Sequence, residues 1–229
     1  MTADLVAAAH GTADPRGIRE IHALVRELAR QRPDVPVSLG FVDVDVPALP
    51  ELVQRVVADS NQAVVVPLLL SSGYHVAVDV AETAARWPGS VTAAAALGPD
   101  PLLVDVMVDR LGDLRHIDRV VLAAAGSSDP RALLDCAATA ALLAERVDRP
   151  VEVGYVSGAG ERLQSALAGT SGRVAVAAYL LAPGFFADRV RRLARRAAFC
   201  SAPLGADPRI AALALGRYEA ARELSAATA

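Results

Sequence analysis

The chain has 229 residues, a hydrophobic fraction of 53% and a formal net charge of -3 at pH 7. This length and apolar content allow two domains with a core each, and the acidic balance argues against a general nucleic-acid-binding protein. No basic region followed by an apolar segment opens the sequence, and no apolar run is long enough to span a membrane, so we expect a cytoplasmic protein.

Apolar runs alternate with amphipathic stretches along the first half of the chain. The runs are rich in valine, leucine and alanine without strict alternation, which is typical of strands buried on both faces of a parallel sheet. The stretches between them, from Ile18 to Leu28 and from Leu49 to Val57, repeat apolar residues at helical spacing. The predicted strands are Asp4 to Ala9, Val37 to Val42, Ala63 to Leu70 and Val91 to Ala96.

Asp-Pro pairs mark four predicted helix starts. Aspartate at the N-cap accepts a backbone N–H of the first turn, and proline at the first helical position has a suitable φ and needs no hydrogen-bond partner for its nitrogen. The pairs are Asp14-Pro15, Asp100-Pro101, Asp129-Pro130 and Asp207-Pro208. Two occur in each half, so each half is predicted to be a doubly wound βαβαβαβα unit.

The second half of the chain repeats the first. The segment L-V-A-A-A-H-G-T-A-D-P-R from Leu5 matches V-V-L-A-A-A-G-S-S-D-P-R from Val120. Further matching segments begin at Leu68 and Tyr179, and at Leu97 and Leu204. We therefore predict an α/β protein of two tandem domains, each a small four-stranded parallel sheet flanked by helices, at residues 1–114 and 115–229.

Three polar residues follow three strands of the first half. His10 follows the first predicted strand, Asp43 the second and His75 the third. Because ligands of open parallel sheets bind beyond the carboxyl ends of the strands, the three side chains are expected to converge there. Two imidazoles and a carboxylate with open coordination positions suit divalent iron, cobalt, nickel or zinc. The sequence therefore predicts a metal site, in which Asp45 is an alternative to Asp43.

The second copy lacks all three of these residues. Ala125, Ser157 and Phe186 occupy the corresponding positions. A lone histidine at a strand end is more often a structural residue, but the joint loss of three polar groups favours a functional site in the first half. The remaining histidines, His22 and His116, have no such support and are predicted to be surface residues.

Other polar features of the sequence are weaker. Small and hydroxyl residues beside the predicted ligands are candidates for binding ligand carboxylates through helix N-termini, namely Gly11, Thr12, Ser71, Ser72 and Gly73. Gly158-Ala159-Gly160 is not a dinucleotide fingerprint, because Leu163 stands at the third glycine. The arginine-rich stretch from Arg189 to Arg196 is either a solvated helix face or counter-charge for an anionic ligand.

The motifs at the three strand ends resemble one known family. A-H-G-T after the first strand, F-V-D-V-D-V-P after the second and P-L-L-L-S-S-G-Y-H after the third resemble the CbiX/SirB family of sirohydrochlorin chelatases. The resemblance covers nearly the whole chain as two tandem copies. It implies the chelatase fold and insertion of Fe²⁺ or Co²⁺ into sirohydrochlorin, in sirohaem or cobalamin biosynthesis, with Ni²⁺ or Zn²⁺ as further metals in vitro.

The resemblance also implies roles for individual residues. His10 and His75 match the family's metal-binding and catalytic histidines, and Asp43 stands where many members have glutamate. Ala13 stands where an arginine often follows the histidine motif, and Arg16 is a candidate to supply that charge.

The second copy is expected to act as a wall of the site. We expect it to be the opposite wall of a cleft, with Phe185 and Phe186 against the ring. The full chain would then be a monomer with an internal pseudo-dimer, with sirohydrochlorin or a related tetrapyrrole as its partner. Two alternatives remain from the sequence: a non-enzymatic metal or tetrapyrrole carrier on the same fold, and a ferrochelatase that acts on another porphyrin.

Overall fold

The computed structural model describes residues 3–60, 62–72, 74–168 and 172–228, with the backbone alone for residues 74–77 and 228. Its strands are β1 (Asp4–Ala9), β2 (Val37–Phe41), β3 (Ala63–Pro67), β4 (Val91–Ala93), β5 (Arg119–Ala124), β6 (Val151–Tyr155), β7 (Val174–Tyr179) and β8 (Phe199–Cys200). Its helices are α1 (Pro15–Gln31), α2 (Leu49–Ser60), α3 (Tyr74–Ala85), α4 (Pro101–Leu111), α5 (Pro130–Val147), α6 (Leu163–Ala168), α7 (Phe185–Leu193) and α8 (Pro208–Thr228). A short 3₁₀ turn, Ala194–Arg196, follows α7.

The described strands form two four-stranded parallel sheets with the same topology. The strand orders are β2-β1-β3-β4 and β6-β5-β7-β8. Ala9 pairs with Phe41 in the first sheet, and Ala124 pairs with Tyr155 at the equivalent place in the second. The predicted fold class, two tandem α/β repeats with four-stranded parallel sheets, is therefore confirmed.

Short apolar side chains pack the central strands between helices. In the first sheet Val6, Ala8 and Val65 are buried together with Leu49 and Val53 of α2. In the second, Val121, Ala123 and Val176 occupy a similar core. Strands covered on both faces need no polar alternation, which explains the uninterrupted apolar runs of the sequence.

All four Asp-Pro pairs begin helices as predicted. The carboxylates of Asp14, Asp100, Asp129 and Asp207 accept the backbone N–H two residues later at 2.8, 3.0, 2.9 and 3.0 Å. Three strand ends differ from the prediction, and the first of them is that of β2, which ends at Phe41 and not at Val42. The run from Ala63 leaves regular strand geometry at Pro67, three residues before Leu70, and β4 ends at Ala93.

The compact units of the chain do not coincide with its repeats. One unit comprises Met1–Leu69, His75–Leu97 and Ala206–Ala229, and the other comprises Leu70–Tyr74 and Gly98–Gly205. The final helix of each repeat has thus been exchanged: α8 packs with the first sheet and α4 with the second. The predicted domains at 1–114 and 115–229 follow the sequence repeats and not these units.

Hydrogen bonds to backbone carbonyl oxygens hold the exchanged helices. The hydroxyl of the fully buried Tyr218 in α8 donates to the carbonyl oxygen of Ala3 at 2.5 Å, and the Arg217 guanidinium donates to the Leu97 carbonyl oxygen at 2.9 Å. In the other unit, Arg110 of α4 donates to the Leu204 carbonyl oxygen at 3.0 Å. None of the described helices is long and apolar enough to cross a membrane.

Candidate functional site

The predicted ligands of the first repeat lie at the carboxyl edge of its sheet. His10 directly follows β1, and Asp43 lies two residues beyond β2. The backbone N–H of Asp43 donates to the carbonyl oxygen of His10 at 2.9 Å, and both residues are exposed. His75 is the second residue of α3, the helix that follows β3, so its backbone comes after the third strand as predicted.

Gly11 allows the close approach of the segments that carry His10 and Asp43. Its φ is +98°, and a β-carbon there would lie 1.9 Å from the carbonyl oxygen of Asp43. No side chain fits in that space, so the glycine is required by the backbone. Ligand binding by Gly11 stays a prediction, whereas this steric role follows directly from the geometry.

The two aspartates that competed for the ligand position have different surroundings. One carboxylate oxygen of Asp45 accepts the backbone N–H of Thr12 at 2.8 Å, so this half-buried side chain joins two loops. The exposed Asp43 carboxylate accepts the N–H of the next residue, Val44, at 2.8 Å through Oδ1. Each carboxylate thus has one oxygen bound to a backbone N–H, and the greater exposure of Asp43 favours it as the residue whose second oxygen binds a ligand.

Two of the backbone N–H groups predicted to bind ligand carboxylates donate hydrogen bonds to carboxylates of the protein itself. The N–H of Thr12 is bound by Asp45, and the N–H of Ser72 donates to Oδ2 of Asp135 at 2.7 Å. Ser71 is half-buried, and Gly73 lies outside the described residues. The binding of substrate carboxylates by this group stays a prediction, and the donors of Thr12 and Ser72 could contribute only if those bonds opened.

Arg16 serves the helix cap of α1. Its guanidinium donates to both carboxylate oxygens of Asp14, with the shortest contact at 2.6 Å. These hydrogen bonds lower the pKa of Asp14 to about 2. Arg131 and Asp129 form the same pair in the second repeat, with a contact of 2.9 Å. A feature present in both copies is best explained by helix capping, which argues against a special role for Arg16 at the site.

The structure describes the side chains of only part of the predicted metal triad. Among the side chains that the structure describes, no group of three His, Cys, Asp or Glu residues could hold a metal ion. The side chain of His75 is not among them, so the set of His10, Asp43 and His75 stays a prediction. The remaining histidines, His22 and His116, are exposed as expected.

The second repeat reproduces the backbone of this edge without the imidazole and carboxylate side chains. The N–H of Ser157 donates to the carbonyl oxygen of Ala125 at 2.9 Å, as Asp43 does to His10. Gly126 has φ +97°, and its β-carbon would lie 1.9 Å from the Ser157 carbonyl oxygen. Phe186 is the second residue of α7, the position of His75 in α3. The same scaffold therefore exists twice, and the candidate ligands exist once.

The sequence analysis missed Asp135 and Tyr179, which hold the loop that precedes His75. Asp135 binds the N–H of Ser72, and the buried Tyr179 hydroxyl donates to the carbonyl oxygen of Leu70 at 2.7 Å. Burial raises the pKa of Tyr179 and keeps this donor protonated. The sequence did indicate a contact of Tyr179, because a tyrosine that ends an otherwise aliphatic buried strand needs a partner for its hydroxyl. It gave no indication for Asp135, which lies in a helix of mixed polarity.

The fold and the site define a class of protein: a tandem pair of parallel α/β repeats in which the first copy alone has histidines after its strands. The family model CbiX matches the chain twice, over residues 4–114 and 119–221. Because these matches include most of the sequence, the chain belongs to the CbiX family. No curated protein matches the chain.

Solved structures of several proteins are similar over nearly the whole chain. SirB from Bacillus subtilis with Fe³⁺ is 22% identical with a TM-score of 0.81, and the match covers 99% of this chain and 98% of that one. SirB from Bacillus subtilis subspecies spizizenii in complex with cobalt is 22% identical with a TM-score of 0.77, covering 97% and 96%. CbiX, the terminal enzyme of sirohaem biosynthesis in denitrifying bacteria, is 17% identical with a TM-score of 0.70, covering 95% and 99%. At these identities the likeness establishes the shared fold.

Proposed function

We propose that this chain is a metal chelatase that inserts Fe²⁺ or Co²⁺ into sirohydrochlorin. The observation that carries the proposal is the contrast between the repeats. Ala125 and Ser157 keep the backbone hydrogen bond that joins His10 and Asp43, but they carry no metal ligand. Membership of the CbiX family supports the proposal, as does the similarity to SirB proteins whose structures contain iron or cobalt.

The residues suit the chemistry of metal insertion. When a divalent ion enters the ring, two pyrrole N–H groups lose their protons and four ring nitrogens bind the metal. Neutral imidazoles can bind the ion and accept protons near physiological pH, which is the role proposed for His10 and His75. A site with few protein ligands keeps coordination positions open, so the ion can pass to the ring nitrogens.

The exposed carboxylate of Asp43 completes the proposed metal set. It would bind the incoming ion beside His10, because the two residues are joined through the backbone at 2.9 Å. Nitrogen and oxygen ligands accept iron and cobalt alike, so availability of the metal decides which one is inserted. One catalytic metal per chain is expected, since the equivalent positions of the second repeat have no ligand.

A turnover assay tests the proposal. The purified chain is mixed with a large excess of sirohydrochlorin and with Fe²⁺, Co²⁺ or Ni²⁺ in turn, and the absorption change is followed against the spontaneous reaction. Many turnovers per chain are expected with Fe²⁺ or Co²⁺. Binding of the tetrapyrrole without turnover would indicate a carrier, and activity confined to protoporphyrin or coproporphyrin would indicate a different ferrochelatase.

A further inference from the structure

Val44, next to the proposed metal ligand Asp43, has an unfavourable backbone conformation. Its φ is +66°, and the N–H of Asp45 donates to the carbonyl oxygen of Asp43 at 2.7 Å. This hydrogen bond closes a three-residue γ-turn around Val44, in the form with positive φ, which is rare and strained. A β-branched residue tolerates positive φ poorly, so the valine is there at a cost in free energy.

The second repeat has the residue that this backbone prefers. Gly158 occupies the position of Val44, one residue after Ser157, and its φ is +70°. Gly160 occupies the position of Val46. The two repeats therefore share a positive φ at this position, although the N–H of Ala159 donates to the carbonyl oxygen of Ser127 and closes no γ-turn. Glycine adopts this φ easily, and the repeat with the proposed metal site has valine at both places.

Packing does not explain the two valines. Val44 is 63% exposed and Val46 is 86% exposed, so neither contributes much to the core. Exposed apolar side chains are common. An exposed valine with a strained backbone beside a candidate metal ligand, however, indicates a functional role. In the second repeat, where the ligands are lost, the valines are lost as well.

We propose that Val44 and Val46 form an apolar contact surface for the flat face of the tetrapyrrole. This inference rests on the proposed function. Metal insertion requires the ring to lie next to the ligand set, and the loop that holds Asp43 also presents both valines. Burial of these methyl groups against the ring would favour binding, while the carboxylates at the ring's edge remain in water or bind polar groups.

Two substitutions separate a substrate contact from a structural role. Val44→Gly removes the side chain and relieves the backbone, so its melting temperature should equal or exceed that of the wild type. Its KM for sirohydrochlorin should nevertheless rise by roughly three- to tenfold, with a smaller effect on kcat. Val46→Ser should raise KM similarly without a change in melting temperature. Leu224→Ala, at a leucine that is 70% exposed in α8, is the matched control and should leave KM unchanged.

The outcomes distinguish this inference from the proposed function. If the wild type turns over and both valine variants keep its KM, the contact surface is refuted while the chelatase assignment stands. If the wild type shows no turnover, the assignment fails, and binding of metal-free sirohydrochlorin then decides the inference. Weaker binding by Val44→Gly and Val46→Ser supports it, whereas unchanged binding or none to the wild type overturns it.

Discussion

The buried hydroxyl of Tyr179 donates a hydrogen bond of 2.7 Å to the carbonyl oxygen of Leu70. Tyr179 ends the third strand of the second repeat, and Leu70 lies in the loop between the third strand of the first repeat and His75. Gly98 leaves the space for this bond, because a β-carbon there would lie 2.3 Å from the Leu70 oxygen and 2.4 Å from the Tyr179 hydroxyl. Residues of the second repeat thus fix the loop that leads to a proposed catalytic histidine.

Substitution at Gly98 should destabilise the protein through this contact. Gly98→Ala must separate the Tyr179 hydroxyl from Leu70, and overpacking of this kind costs about 1–3 kcal/mol of the free energy of unfolding. Tyr179→Phe removes the same hydrogen bond at a cost of roughly 1 kcal/mol. Urea unfolding of both single variants and the double variant checks the link. Strictly additive losses would show that the alanine acts elsewhere.

Asp135 is expected to be a positioning residue for the same loop. Asp135→Ala removes the acceptor of the Ser72 N–H and should lower kcat by roughly tenfold, because a small shift of His75 is costly for catalysis. Asp135→Asn should restore most of the activity, since an amide oxygen accepts the same N–H. Glu145→Ala, at an exposed position of the same helix, is the control. If the Asn and Ala variants lost equal activity, or if Ala lost none, this role would be excluded.

The two neighbouring aspartates should behave differently. Asp43→Ala should raise the metal concentration needed for half-maximal rate while leaving turnover at high metal, and Asp43→Glu should remain active. Asp45→Ala removes the acceptor of the Thr12 N–H, so it should lower the free energy of unfolding by roughly 1 kcal/mol. Rate measurements over a range of Co²⁺ concentrations, together with urea unfolding, compare them. A metal-affinity defect in Asp45→Ala alone would reverse the assignment.

The cap of α1 should lose its charge pair in acid. The hydrogen bonds from Arg16 lower the folded-state pKa of Asp14 from its ordinary value of 3.8 to about 2. A lowered folded-state pKa means that the contribution to stability is present above the ordinary pKa and disappears as the pH falls from about 4 to about 2. Asparagine also caps helices but has no charge. The melting temperature of Asp14→Asn should therefore lie below that of the wild type at neutral pH and approach it near pH 2. A gap that stays constant with pH would contradict the pairing.

The fold could be predicted because its signals are local. Apolar runs of valine and alanine indicate strands covered on both faces, and each Asp-Pro pair specifies a helix start through its own hydrogen bonds. The candidate ligands came from comparing the repeats, since a position that has a metal-binding side chain in one copy and not in the other separates function from scaffold. The strain at Val44 could not be predicted, because it depends on a φ value that the residue type does not indicate.

The features that the sequence did not predict depend on tertiary packing between distant segments. The exchange of α4 and α8 between the sheets depends on buried contacts such as that of Tyr218 with Ala3, whose partners lie at opposite ends of the chain. The N–H groups of Thr12 and Ser72 were predicted to be free for a ligand. Each is bound by a carboxylate from a distant segment, Asp45 or Asp135, and no local pattern predicts such pairs.

The initial rate of Co²⁺ insertion into sirohydrochlorin by the wild type and four histidine variants tests the central claim most directly. His10→Ala and His75→Ala should each lower the rate by at least about 100-fold, in line with the loss of a metal ligand and proton acceptor. Both should keep the wild-type melting temperature within a few degrees. His22→Ala and His116→Ala, at exposed positions outside the proposed site, should retain full activity. Near-wild-type rates for both His10→Ala and His75→Ala would contradict the account.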